Sequence, residues 1–300
     1  MKKLLLKTAI FCFAALLLFL LILSQADGHT DPFYIRFTSP KQTHLMIGTS
    51  RAAQGLQPSV FDSILNIKAY NYAFTVAHSP YGETYLNSIK QKLKETTSNG
   101  LFIVTVDPWS ISSKLEKPND AEQFRELDLC VGKTPFVNHK PNFIYLIRNL
   151  SGEYYKIFLQ PKSATFLHDN GWLEVSVSMD SLKTMARTNA KVEDYRKNLL
   201  PYYKYSSLRF DYLQQTIEFL NQHGKVYLVR MPIHPDIMAI ENELMADFTS
   251  KMEELAPMTE GYFDMTASNN QYQYVDGNHL FKDSGKIVSR KIAEWIKSIR

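Results

Sequence analysis

Two six-residue runs restrict the folds open to this chain more than any other feature. Leu101-Phe102-Ile103-Val104-Thr105-Val106 and Val226-Tyr227-Leu228-Val229-Arg230-Met231 are short, rich in β-branched residues, and bounded by glycine or proline. A strand that is apolar on both faces needs cover on both faces, the condition of a parallel sheet layered between helices. Residues 44–48, 67–74 and 261–265 supply three further strands. Between them, apolar residues recur at helical spacing. Tyr85, Ile89 and Leu93 form one stripe, and Leu213, Ile217 and Leu220 form another before Gly224 ends the helix. Ile237, Ile240, Leu244, Phe248, Met252 and Leu255 read as one long helix, started after Pro235 and closed at Pro257. Val288, Ile292, Trp295 and Ile299 make the last. The stripes are core, and the strand–helix alternation predicts an α/β fold with a central parallel sheet.

Residues 110–204 break the rhythm. They hold the polar stretch Lys114–Asp120 and the apolar stretches Asn142–Ile147 and Tyr154–Leu159, which fit no strand–helix repeat. A structureless loop of that length is unusual inside a compact domain, so the segment reads as an inserted subdomain after the third strand. Its tyrosines and Trp172 either line a substrate groove or pack a small core of their own.

Export follows from the first residues. Lysines at positions 2, 3 and 7 precede Thr8–Leu23, in which every residue after Thr8 is apolar. With Leu4–Leu6 the run approaches the roughly 20 residues that cross a bilayer. The positive end holds Met1 in the cytoplasm and sends the rest out. Ser24-Gln25-Ala26 also suits a signal peptidase, which would release the chain after Ala26; the length of the run favours an uncleaved anchor. The expected organisation is an anchor over 1–26, a polar tether over 27–43, and a domain over 44–300, on the outer face of the cytoplasmic membrane.

A net charge of +4 without a block of like charges argues against a nucleic-acid partner. Cys130 is the sole cysteine beyond the apolar segment, so no disulfide forms within the exported part, and it reads as a buried structural thiol. There is no P-loop and no Gly-x-Gly-x-x-Gly, so no nucleotide cofactor is indicated. His234 with Asp236 or Asp276 lacks metal-site spacing, and no metal is expected.

The chemistry is carried by two distant blocks. His44–Ile47 runs into Gly48-Thr49-Ser50-Arg51, which puts a serine at the carboxyl end of the first strand, where ligands bind in open α/β sheets. Ser50 is there either as a nucleophile or as the cap of a helix over 51–65. Near the other end, Asp276-Gly277-Asn278-His279-Leu280 precedes the last helix. A carboxylate three residues before a histidine can hold Nδ1–H and leave Nε2 to act as a base toward a serine. Asp283 is better placed than Asp276 to cap the helix, which frees Asp276. Arg51 reads as a ligand for a substrate carboxylate or phosphate, or as half of a salt bridge.

These blocks resemble the SGNH/GDSL hydrolase superfamily over about residues 44–109 and 206–300. The resemblance implies a flavodoxin-like three-layer sandwich with strand order 2-1-3-4-5, Ser50 as nucleophile, His279 as base and Asp276 as its orienting acid. It implies no cofactor. The family's second block is matched by Asn71-Tyr72-Ala73, with Ala73 giving a backbone N–H to the oxyanion hole. Its third block, Gly-x-Asn-Asp, is missing: the chain reads Val106-Asp107-Pro108-Trp109-Ser110. Oxyanion stabilisation is then left to the N–H groups of Ser50 and Ala73, aided by Arg51, while Asp107 is expected to orient an acceptor hydroxyl. In layout the chain is similar to the anchored relatives that transfer D-alanine to teichoic acid or O-acetylate alginate. That likeness implies an esterase or O-acyltransferase acting on an acylated envelope glycan or small ester, with a membrane acyl-donor protein as partner. The alternative is an inactive relative serving as a binding or assembly subunit.

Overall fold

The computed structural model describes residues 1–150, 154, 155, 157 and 164–300. Its centre is a five-stranded sheet of β1 (His44–Ile47), β2 (Ala69–Asn71), β3 (Gly100–Val106), β8 (Gly224–Arg230) and β9 (Tyr262–Asp264), ordered β2-β1-β3-β8-β9. All neighbours run parallel, which is the expected 2-1-3-4-5 order. The two runs that suggested the sheet are its middle: β3 is buried throughout and pairs with β8 from Gly100↔Gly224 to Val106↔Arg230. Helices α3 (Pro58–Leu65) and α11 (Lys282–Ile299) pack together, as do α4 (Glu83–Lys92) and α8 (Ser207–Asn221), completing the flavodoxin-like three-layer arrangement.

The long stripe that began after Pro235 is two helices, α9 (Pro235–Leu244) and α10 (Phe248–Leu255). The chain leaves helical geometry at Met245, whose side chain stays buried, so the apolar pattern continues through the break and hides it. The helix expected over 51–65 is likewise divided, into α2 (Ser50–Gly55) and α3.

The insertion is closed at its neck by two short antiparallel strands, β4 (Ser112–Ser113) against β7 (Lys204–Tyr205). Within it lie α5 (Cys130–Lys133), α6 (Phe143–Asn149), the hairpin of β5 (Thr165–Leu167) and β6 (Leu173–Val175), and α7 (Ser181–Asp194). Of the stretch Tyr154–Leu159, positions 156, 158 and 159 lie outside the described residues. Cys130 is buried, and burial pushes its thiol well above the ordinary value.

Residues 27–43 are not a free tether. Tyr34, Ile35 and Phe37 join the core, and the fully buried Arg36 donates to the carbonyls of Pro32, Asn71 and Gly171. Lys92 Nζ reaches the carbonyls of Arg36, Ser39 and Val137, binding the segment to α4 and to the insertion. The polar composition that suggested a tether serves these carbonyl contacts instead. Ahead of it, α1 (Lys2–Leu23) is one helix long and apolar enough to cross a membrane. It is exposed almost to its end, where Leu23 enters the core.

Gly48 makes the turn after β1 possible. Its φ is +142°, and a Cβ there would lie 1.8 Å from Thr105 Oγ1, which itself donates to the Ile47 carbonyl. Gly48→Ala is therefore expected to destabilise the protein by about 1–3 kcal/mol through overpacking, read from the urea midpoint. An unchanged midpoint would mean that the turn yields freely.

Candidate active site

β1 delivers the chain to the carboxyl edge of the sheet, Gly48 turns it, and α2 starts at Ser50. Thr49, not Ser50, occupies the N-cap position, and no side chain caps the helix. Thr49 Oγ1 instead donates to Asp107 Oδ2 at 2.9 Å. The Ser50 hydroxyl is thereby left for another partner: its Oγ lies 2.8 Å from His279 Nε2, across 229 residues of sequence.

The block before α11 is a tight turn around one carboxylate. Asp276 Oδ1 accepts the backbone N–H groups of Asn278 at 3.0 Å and His279 at 2.9 Å, while Oδ2 lies 3.0 Å from His279 Nδ1. Gly277 has φ +81°, and a side chain there would press on Thr188 of α7, so glycine suits both the turn and the insertion packed against it. Lys191 of α7 stands 3.8 Å from Asp276 Oδ2. Burial pushes the Asp276 carboxyl up, but the His279 charge, the hydrogen bonds from His279 and Lys191 outweigh it. The group is held well below the usual carboxylate range. An ionised Asp276 fixes the proton of a neutral imidazole on Nδ1 and leaves Nε2 as an acceptor.

The expected trio thus converges, with the spacing that general-base activation of a hydroxyl requires. The flanking positions do not keep their expected places. Arg51 is buried and ion-paired with Glu241 of α9, and its Nε and Nη2 donate to Asn278 Oδ1 at 3.0 and 2.9 Å. Burial works against the Arg51 charge, yet Glu241 and Asp107 hold its pKa above the ordinary value. The salt-bridge alternative describes Arg51, and a role as substrate ligand is corrected. Asn71 is fully buried, and its Nδ2 donates to the carbonyls of Ala52 and Leu56. Its Oδ1 accepts the Ala73 N–H at 3.1 Å, so the expected second oxyanion donor is already consumed. Asp107 braces Thr49 and caps the short helix Pro108–Ile111 through Ser110 N at 2.9 Å. Each of its oxygens accepts a bond from the protein and the side chain is buried, so Asp107 is placed to brace the turn that carries Ser50 rather than to meet an acceptor. Asp283 lies inside the first turn of α11, whose N-cap is Phe281 with no side-chain bond, so Asp283 does not cap it either.

Three contributors were passed over in the sequence. Asn278 sits inside the terminal block, and its Nδ2 lies 3.1 Å from His279 Nε2. Glu241 is wholly buried and gathers Arg51, Arg230 and the Trp109 indole N–H. Its spacing of four from Ile237 places a carboxylate on the apolar face of its helix, a legible sign of a buried ion pair. Trp109 packs on Tyr195 and Tyr203, so these aromatics of the insertion are core. Trp172 stacks on His168 and donates to the Gln54 carbonyl of α2. A cavity of about 550 Å³ opens beside Gly277, between α7 and residues Tyr272–Tyr274, with Met185, Thr188 and His234 in its wall.

No protein-family model matches the chain. No curated protein matches it either. Among solved structures it is similar to a carbohydrate acetylesterase family member from Sinorhizobium meliloti, at 9% identity and a TM-score of 0.37, covering 86% of this chain and 99% of that one. An inhibitor-bound aryl esterase of M. smegmatis matches at 8% identity and a TM-score of 0.37, covering 86% and 100%. Likeness that distant assigns neither substrate nor residue roles, which rest on the site's own geometry.

Proposed function

We propose that this chain is a serine esterase or O-acyltransferase of the SGNH/GDSL type, exported and held at the membrane by α1. The observation that carries the reading is the line of contacts from Ser50 Oγ to His279 Nε2 at 2.8 Å and from His279 Nδ1 to Asp276 at 3.0 Å. His279 takes the Ser50 proton as Oγ attacks an ester carbonyl, then returns it to the departing alcohol. Water or a glycan hydroxyl discharges the acyl-enzyme by the reverse sequence. Asp276 keeps the imidazole in the accepting tautomer and balances its charge when protonated. An acylated envelope glycan, with a membrane protein as acyl donor, is the substrate class that suits an exported, anchored site.

A second reading, an inactive binding or assembly subunit, draws on one observation: the Ala73 N–H is spent on Asn71. A fluorophosphonate probe separates the two. The full-length protein in detergent or nanodiscs is expected to be labelled at Ser50 and to cleave p-nitrophenyl acetate. Absence of label on folded protein would leave the binding reading.

A further inference from the structure

Asn278 stands where the site lacks a side-chain donor, and its orientation is set by chemistry. Arg51 carries only donors, so the atom accepting its two bonds at 3.0 and 2.9 Å must be the amide oxygen. The amide nitrogen is thereby turned to His279 Nε2 at 3.1 Å, the same atom that Ser50 Oγ meets at 2.8 Å. Arg51 is itself immobilised by Glu241, which Arg230 and Trp109 hold in turn. Asn278 is buried, and among the described residues its second amide N–H has no protein partner.

Two donors therefore share one lone pair in the resting site. When Nε2 takes the Ser50 proton it becomes a donor, and the Asn278 N–H has to leave it. With Oδ1 clamped, the amide cannot swing far. We propose that Asn278 is the side-chain donor of this site, released from Nε2 as the base is protonated and passed to the substrate oxygen on which negative charge develops. The proton moves from Oγ to Nε2, the Oγ–C bond forms, and the carbonyl electron pair moves to the oxygen that Asn278 then meets. The inference rests on the reading of Ser50 and His279 as nucleophile and base.

The test uses the full-length protein with Asn278→Ala and the near-isosteric Asn278→Asp, which keeps the bulk if alanine fails to fold. With p-nitrophenyl acetate, kcat is expected to fall by about 10²–10³ with KM little changed, as for loss of one oxyanion donor. A kcat within about threefold of wild type overturns the inference. If the wild-type protein neither cleaves the ester nor takes a fluorophosphonate label at Ser50, it is the reading of the site that falls, and the inference with it.

Discussion

Asp276→Asn is expected to lower kcat for p-nitrophenyl acetate by about 10⁴, the scale found when the orienting carboxylate of a serine triad becomes an amide. The reason is tautomeric. In the variant the amide oxygen still accepts the backbone N–H groups of residues 278 and 279, which now meet Asp276 Oδ1. The amide nitrogen then takes the place of Oδ2 and donates to His279 Nδ1. The imidazole proton is driven to Nε2, which can no longer accept from Ser50. Stability follows the same group. Because the folded Asp276 carboxyl is depressed below its ordinary value of 3.8, its ionised form stabilises the fold above that pH. The stability difference between wild type and Asp276→Asn should be present at neutral pH and shrink as the pH falls below that value. Steady-state kinetics with urea melts at two pH values measure both effects. A loss below about tenfold would remove Asp276 from the mechanism.

Glu241→Ala is expected to destabilise the protein by about 3–5 kcal/mol, because it leaves buried guanidiniums without their shared carboxylate. Arg51 and Arg230 are 6% and 3% exposed, and Arg230 would keep Asp264 at 3.6 Å as its remaining carboxylate among the described residues, with weaker contacts to Thr249 Oγ1 and Met238 Sδ at 3.5 Å. The Trp109 indole would lose its acceptor as well. Glu241→Gln retains an acceptor and should cost less. The same change should slow fluorophosphonate labelling, since Arg51 would no longer be pinned against Asn278. Thermal and urea unfolding give the size of the effect; a loss under about 1 kcal/mol would mean that water replaces the carboxylate without penalty.

What was readable in the chain was what local periodicity encodes. The β-branched runs at 101–106 and 226–231 identified the central pair of strands, because strands buried on both faces tolerate few polar residues. Ser50 after β1 and Asp276-x-x-His279 before α11 were readable for a related reason. An α/β topology brings strand carboxyl ends to one edge, so residues far apart in sequence share it. Apolar periodicity misled at Met245, where the chain turns without breaking the stripe, and polar composition misled at residues 27–43, where Arg36 reaches the carbonyls of Asn71 and Gly171 in two distant segments.

By itself, then, the sequence determined the parallel α/β character of the fold and, through its resemblance to a known family, which three residues to expect at one edge of the sheet. Only the tertiary structure decided what each neighbouring polar group is free to do. Ser50 reaches a histidine rather than a helix end, Ala73 has given its N–H to Asn71, and Arg51 has turned from any substrate to Glu241 and Asn278. The physical reason is that a buried donor or acceptor must be satisfied by whatever packs against it. That partner is set by contacts between distant segments, which no local pattern records.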